Sequence, residues 1–172
     1  MSKIRKWLLI FIPAMALCIT GISHPKASQT NKNTNSTEKA LKKAALQEMI
    51  ENKNFIFQAS DMYPRGAGGV RLGYDCDVQI SNDVITSYLP FIGKAYLKNY
   101  GNTTGFDFTE QVKSYSFKQK KKGIEVNVET ETDNGLLNYN FFVTESGAST
   151  LTVSGMQRQS ISYYGMVQTT SP

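Results

Sequence analysis

From Asn54 onward, apolar side chains fall on every second position, and this period of two persists almost to the C-terminus. The clearest run is Val70 to Ile80, where Val70, Leu72, Tyr74, Cys76, Val78 and Ile80 alternate with Arg71, Gly73, Asp75, Asp77 and Gln79. Each such run is expected to be a strand with one dry face and one wet face. Ile124, Val126, Val128 and Thr130 repeat the pattern, as do Leu137, Tyr139, Phe141 and Val143, with Phe142 the exception on the wet face. Weaker patterns over residues 55–60, 84–89, 112–119, 149–154 and 160–167 bring the expected strand count to eight.

The joints are short: Ser81-Asn82-Asp83, Lys121-Lys122-Gly123, Asp133-Asn134-Gly135, Ser146-Gly147 and Ser154-Gly155. Asn and Gly tolerate positive φ, so these are hairpin turns and consecutive strands are antiparallel neighbours. The expected fold class is therefore all-β, an eight-stranded antiparallel up-and-down meander. Such a meander either closes into a barrel or folds over into a sandwich. A barrel is preferred, because closure removes both sheet edges and suits nearest-neighbour hairpins. Two stretches break the rhythm, the Gly-rich connection from Met62 to Gly69 and a long aromatic loop from Pro90 to Phe106. Long loops on a small β scaffold are where binding residues concentrate.

Ahead of the strands the period is different. Leu41, Ala44, Ala45, Met49 and Ile50 recur at helical spacing among lysines and glutamates, so one amphipathic helix of four to five turns is expected, capped at Asn35 or Ser36. It would plug or flank one end of the barrel. Residues 24–35, rich in Asn, Thr, Ser and Lys, read as a flexible polar linker. Residues 1–23 read as a cleavable signal peptide, with Lys3, Arg5 and Lys6 before an apolar stretch from Trp7 to Ile19. Residues 36–172 are the expected helix-plus-barrel domain. The expected location is outside the cytoplasm, periplasmic or extracellular, with cleavage after Ser23 or Ala27. Membrane association is expected only if the signal is retained or Cys18 carries a lipid, and Leu17 just before it is bulky for a lipoprotein signal.

The charge balance supports no nucleic-acid partner. Three of the 19 basic residues leave with the signal and none of the 14 acidic ones do, so the mature net charge is sixteen minus fourteen, or +2. The single histidine, His24, lies in the linker, which removes Ser-His-Asp catalysis, Cys-His catalysis and His-based zinc sites from the folded part. Cys76 is the one cysteine left after the signal, so no intramolecular disulfide is expected, and its place on the dry side of a strand makes it a structural thiol. No metal or cofactor is expected.

Two segments resemble a known family. Ser87-Tyr88-Leu89-Pro90-Phe91-Ile92-Gly93-Lys94-Ala95-Tyr96 is similar to a Ser-Tyr-Leu-Pro-Tyr-Phe-Gly-Arg-Ala-Tyr segment, and Arg158-Gln159-Ser160-Ile161-Ser162-Tyr163-Tyr164-Gly165 to an Arg-Gln-x-Ile-Ser-x-x-Gly segment. Both belong to an uncharacterised exported family of Bacteroidetes, domain of unknown function 4251. Ser146 to Leu151 resembles its Gly-x-Ala-x-Leu element, and the whole likeness spans about residues 38 to 168. The resemblance implies a lipocalin-like barrel and no assigned activity. Phe91, Ile92 and Lys94 depart from the family pattern, removing a phenol and a bidentate guanidinium.

Three function classes follow. The leading expectation is a non-enzymatic barrel that binds a small apolar or amphipathic ligand, with Tyr88, Tyr96 and Tyr163 near the opening, where tyrosines combine apolar area with a hydrogen-bonding end or simply plug a narrow barrel mouth. The alternative is a structural or interaction module tethered at the cell envelope. Third is a hydrolase using paired carboxylates, Asp75 with Asp77 or Glu129 with Glu131, each two residues apart and so expected about 6 to 7 Å apart on one strand face. Both pairs sit on wet faces, where a carboxylate keeps an ordinary pKa and mainly solubilises. Lys118, Lys120, Lys121 and Lys122 gather at one hairpin tip, which they keep solvated, or with which they meet an anionic surface.

Overall fold

A computed structural model of the chain describes residues 31–66, 68–94, 105–133 and 135–169, with side chains from residue 38. The region Asn31–Pro172 forms a compact unit by itself. One helix, α1 (Asn31–Glu51), precedes nine strands: β1 (Asn54–Tyr63), β2 (Val70–Arg71), β3 (Asp77–Ser81), β4 (Val84–Pro90), β5 (Gly105–Lys120), β6 (Gly123–Thr132), β7 (Gly135–Thr144), β8 (Ala148–Gly155) and β9 (Arg158–Gln168). The expected signal peptide, Cys18 and most of the linker lie outside the described residues, as does Tyr96.

The sheet closes. Every strand from β3 to β9 pairs antiparallel with the next, and β1 pairs with β3 on one side and with β9 on the other, from Ile56↔Gln168 to Tyr63↔Ser162. Eight strands thus form an antiparallel barrel, and the two-residue β2 adds to β1 beyond the end of β3. Turn chemistry explains the order. Asn82 and Asp83 both take positive φ, the mirror-image turn whose twist matches two flanking strands, and Gly135 and Gly147 do the same in later hairpins.

The sequence expectation is corrected in three places. The run from Val70 to Ile80 is not one strand: it breaks between β2 and β3, leaving Tyr74 96% exposed and only Val78 and Ile80 of its dry set fully buried. Gln58 donates from Nε2 to the carbonyls of Tyr74 and Cys76, holding this excursion against β1. Second, α1 begins at Asn31, inside the expected linker, and buries Leu46 and Ile50, whereas Leu41, Ala44 and Ala45 are exposed. Its apolar contact with the barrel comes from the last turns, where the Tyr115 hydroxyl donates to the Ile50 carbonyl at 2.6 Å, while Lys39 and Lys43 pair with Glu145 further back. Third, β5 starts at Gly105, well before residue 112.

Inside the barrel the aromatic rings form a continuous column. Phe141 meets Phe55 and Phe57 edge-on at 5.7 Å each, Tyr139 stacks beside Phe141, and Phe106 and Phe108 meet Tyr139 at 6.3 and 6.2 Å. Phe55, Phe57, Tyr139 and Phe141 have no exposed surface at all. Edge-to-face pairs of this kind add to the stabilisation from area burial. The few buried hydroxyls are partnered, as Thr130 is with the Gln111 carbonyl at 2.9 Å.

Candidate functional site at the barrel rim

The end of the barrel opposite α1 is built from the end of β4, the start of β5 and the start of β9. These three elements carry the most chemically specific arrangement among the described residues. Arg158, the first residue of β9, is buried despite its charge. Its guanidinium lies over the rings of Phe91 and Phe106, at 5.2 and 5.0 Å from their centroids, and donates from Nη1 to the Gly105 carbonyl at 3.0 Å. Flat, weakly hydrated guanidinium is the cation that suits such a stack. Phe91 in turn meets Phe106 edge-on at 5.5 Å, so one cation and two rings form a single packed layer across the rim.

The segment after β4 is tied to the same place by backbone. The Gln159 N–H donates to the Lys94 carbonyl at 3.0 Å, and the Lys94 N–H donates back to the Gln159 side-chain oxygen at 3.4 Å. The Tyr163 hydroxyl donates to the Pro90 carbonyl at 2.6 Å, and Tyr139 donates to Ser87 at 3.2 Å. The two sequence segments singled out for their resemblance therefore meet here. Residues some 70 apart in sequence are brought together by the closure that makes β9 a neighbour of β1.

Of the tyrosines expected to line a ligand site, Tyr88 and Tyr163 lie on opposite faces of the sheet, and Tyr96 lies outside the described residues. Tyr163 points inward and is fully buried, with its hydroxyl satisfied by Pro90. Tyr88 is on the other face of the sheet, half exposed, between Asp77 of β3 and Asp107 of β5. Alternation places neighbours of opposite parity on opposite faces, and Tyr88 lies between the buried Ser87 and Leu89. Burial pushes the phenols of Tyr139 and Tyr163 far above the ordinary tyrosine range, so both stay protonated donors. Sequence reasoning passed over Arg158. Its signal was available: a basic residue opening a strand, next to the hairpin turn and inside one of the two distinctive segments.

Removing the Tyr163 hydroxyl strands a carbonyl. Tyr163→Phe is expected to cost about 1 to 2 kcal/mol, the range for an unmade buried hydrogen bond, and urea denaturation followed by circular dichroism measures it.

The remaining candidates are dispersed. Asp75 is exposed in the turn before β3, and Asp77 is half-buried on β3 itself, so they do not share a strand face. Burial and the neighbouring Asp75 raise the Asp77 carboxyl above its ordinary range. Glu129 accepts from Asn138 at 3.4 Å and Glu131 pairs with Lys113, both structural partnerships. Among the described residues no group of three metal-binding side chains comes together, and no helix is long and apolar enough to cross a membrane.

Cys76 is half-buried against the core, and burial first, then Asp75, pushes its thiol up. Since thiolate is the reactive form, alkylation by iodoacetamide at pH 7.5 is expected to run several-fold slower than for free cysteine. Mass-spectrometric rates across pH 7 to 10 check this, with the rise displaced to higher pH.

A closed eight-stranded antiparallel barrel preceded by one helix, with aromatic rings packed inside it and a buried arginine at one rim, defines the fold class. The chain belongs to the family described as Domain of unknown function (DUF4251), whose model matches residues 37–167. It is similar to a crystal structure of a DUF4251 family protein from Bacteroides eggerthii DSM 20697, with a TM-score of 0.55 and 12% identity over 77% of this chain and 91% of that one. At that identity the likeness concerns the fold. No curated protein matches the sequence.

Proposed function

We propose that the protein is an exported, non-enzymatic envelope module whose barrel is a rigid scaffold and whose contacts are made from its outer surface and rim. The observation that carries this reading is the packing of rings inside the barrel: Phe141 meets Phe55, Phe57 and Tyr139, and all four are fully buried. Small barrels have room inside for side chains or for one small ligand, and here side chains hold the space. A ligand in the lumen would have to displace the best-packed rings of the fold. Export is supported by the basic and apolar character of residues 1–23 and the polar stretch after them. The hydrolase reading has the weakest support, since Asp75 and Asp77 sit on different elements.

A second reading rests on one specific feature, Arg158 stacked on Phe91 and Phe106. A cation backed by aromatic rings offers a small amphipathic molecule with an acidic head both of the contacts it needs, at the rim and not in the lumen. Native mass spectrometry of the purified protein, followed by titration with hexadecanoic acid and an apolar fluorescent dye, separates the two. The scaffold reading expects the mass of the bare chain and no saturable binding. A co-purifying acid, or one-to-one binding abolished by Arg158→Gln with the fold intact, would replace it with the second.

A further inference from the structure

β5 changes neighbours midway along its length. Gly105 to Gln111 pair with β4, whereas Val112 to Lys120 pair with β6. The turn between β3 and β4 ends level with this switch, where the Val112 N–H donates to the Asp83 carbonyl at 2.7 Å. Beyond it, among the described residues, Lys113 to Lys120 have a strand partner on one side only. Seven of these eight residues are exposed, in contrast to the strict buried alternation of β6 across from them. A free row of backbone donors and acceptors accepts another extended strand and little else.

The side chains say what kind. Lys113, Lys118 and Lys120 lie along this edge, and Lys121 and Lys122 make its turn. Lys120 is paired with Glu125 at 3.0 Å and Lys113 with Glu131, while Lys118, Lys121 and Lys122 make no ion pair among the described residues. Pairing with the same edge of a second copy would set lysine near lysine, which disfavours self-association. The strand that β5 takes on its covered side has the opposite character: Glu125 stands directly across from Lys118. Phe117, 41% exposed beside Tyr115, supplies an apolar anchor on the same stretch.

We propose that the free edge of β5 from Lys113 to Lys120 docks an extended acidic segment of a partner protein by strand addition. Backbone hydrogen bonds give the attachment, carboxylates meet Lys118 and the two turn lysines, and an apolar side chain rests on Phe117. The inference rests on the scaffold reading above and gives that scaffold its partner class.

The test uses isotope-labelled protein from His24 onward, which contains the whole compact unit, and a synthetic peptide with the acidic sequence of residues 123–132 as the probe strand. The expected result is saturable amide shift changes centred on residues 113–120, with slowed amide exchange there. Affinity should fall at least tenfold when the peptide's three glutamates become glutamines, or in the surface variant Lys118→Gln/Lys121→Gln/Lys122→Gln. Absence of saturable shifts at millimolar peptide, shifts mapping elsewhere, or indifference to the glutamates overturns the proposal. So does binding to phosphatidylglycerol vesicles in place of the peptide, which would make the tip a lipid contact. If the lumen still rejects dyes while the peptide fails, the docking edge falls and the scaffold reading stands.

Discussion

Phe141→Ala is expected to be the most damaging single truncation in the barrel, costing about 3 to 5 kcal/mol, the range for removing a buried aromatic side chain. Phe141 is fully buried and its ring touches those of Phe55, Phe57 and Tyr139, so its loss opens a void that three neighbours border. Strands tied on both sides by backbone hydrogen bonds collapse poorly into such a void, which favours the upper part of the range. Against a whole-domain stability of roughly 5 to 15 kcal/mol, a loss of that size leaves a marginal protein. Urea unfolding measures it, with the midpoint expected to drop by more than about 1 M at an ordinary slope. The opposite-face change Phe142→Ala on the same strand is the control, since Phe142 is only half-buried, and its cost should be much smaller.

Gly165→Ala is the second large effect, and it acts on closure. Gly165 lies on β9 opposite Ala59 of β1, at the seam that turns a sheet into a barrel. A Cβ there would overlap the carbonyl oxygen of Gln58 and stand 3.0 Å from the Ala59 Cα. Both are backbone atoms with no rotamer to escape into, so the two strands must part. The expected cost is about 3 kcal/mol or more, at the top of the overpacking range. Amide exchange should accelerate along β1 and β9 in particular, because the strain is local to their ladder. At Gly73 an added methyl meets nothing within 4 Å, and Gly73→Ala is expected to change stability by less than about 0.5 kcal/mol.

The two substitutions also show which parts of the fold can be read from the chain. Strand identity was legible because burial on one face imposes a period of two, and turn residues such as Asn82-Asp83 announce where each strand stops. Closure was legible only as a preference, since a meander leaves barrel and sandwich both open. Alternation in the Val70 to Ile80 run continues across a break in the strand, where Gln58 of β1 bonds the carbonyls of Tyr74 and Cys76. The buried face of α1 was legible only in its last turns: Ile50 and Met49 pack on the barrel end as expected, joined by Leu46, whereas Leu41 looks equally apolar in sequence and is exposed. At the rim, the two distinctive segments pointed to the right place. What they could not convey was orientation, so Tyr88 and Tyr163 were grouped although the sheet separates them. A lone arginine after a turn normally faces solvent, and the packing of Arg158 on Phe91 and Phe106, with its bond to the Gly105 carbonyl, is a tertiary feature that the sequence does not display.

The central claim is that the lumen belongs to the protein's own side chains. A high-resolution crystal structure of protein purified from its native compartment tests it most directly, through the electron density along the barrel axis. The expected density has Phe141 in contact with Phe55, Phe57 and Tyr139, with no enclosed space large enough for a small organic molecule. Density for a bound molecule between those rings, or rings turned aside around an open cavity of several hundred Å³, the size of a typical ligand site, would contradict it.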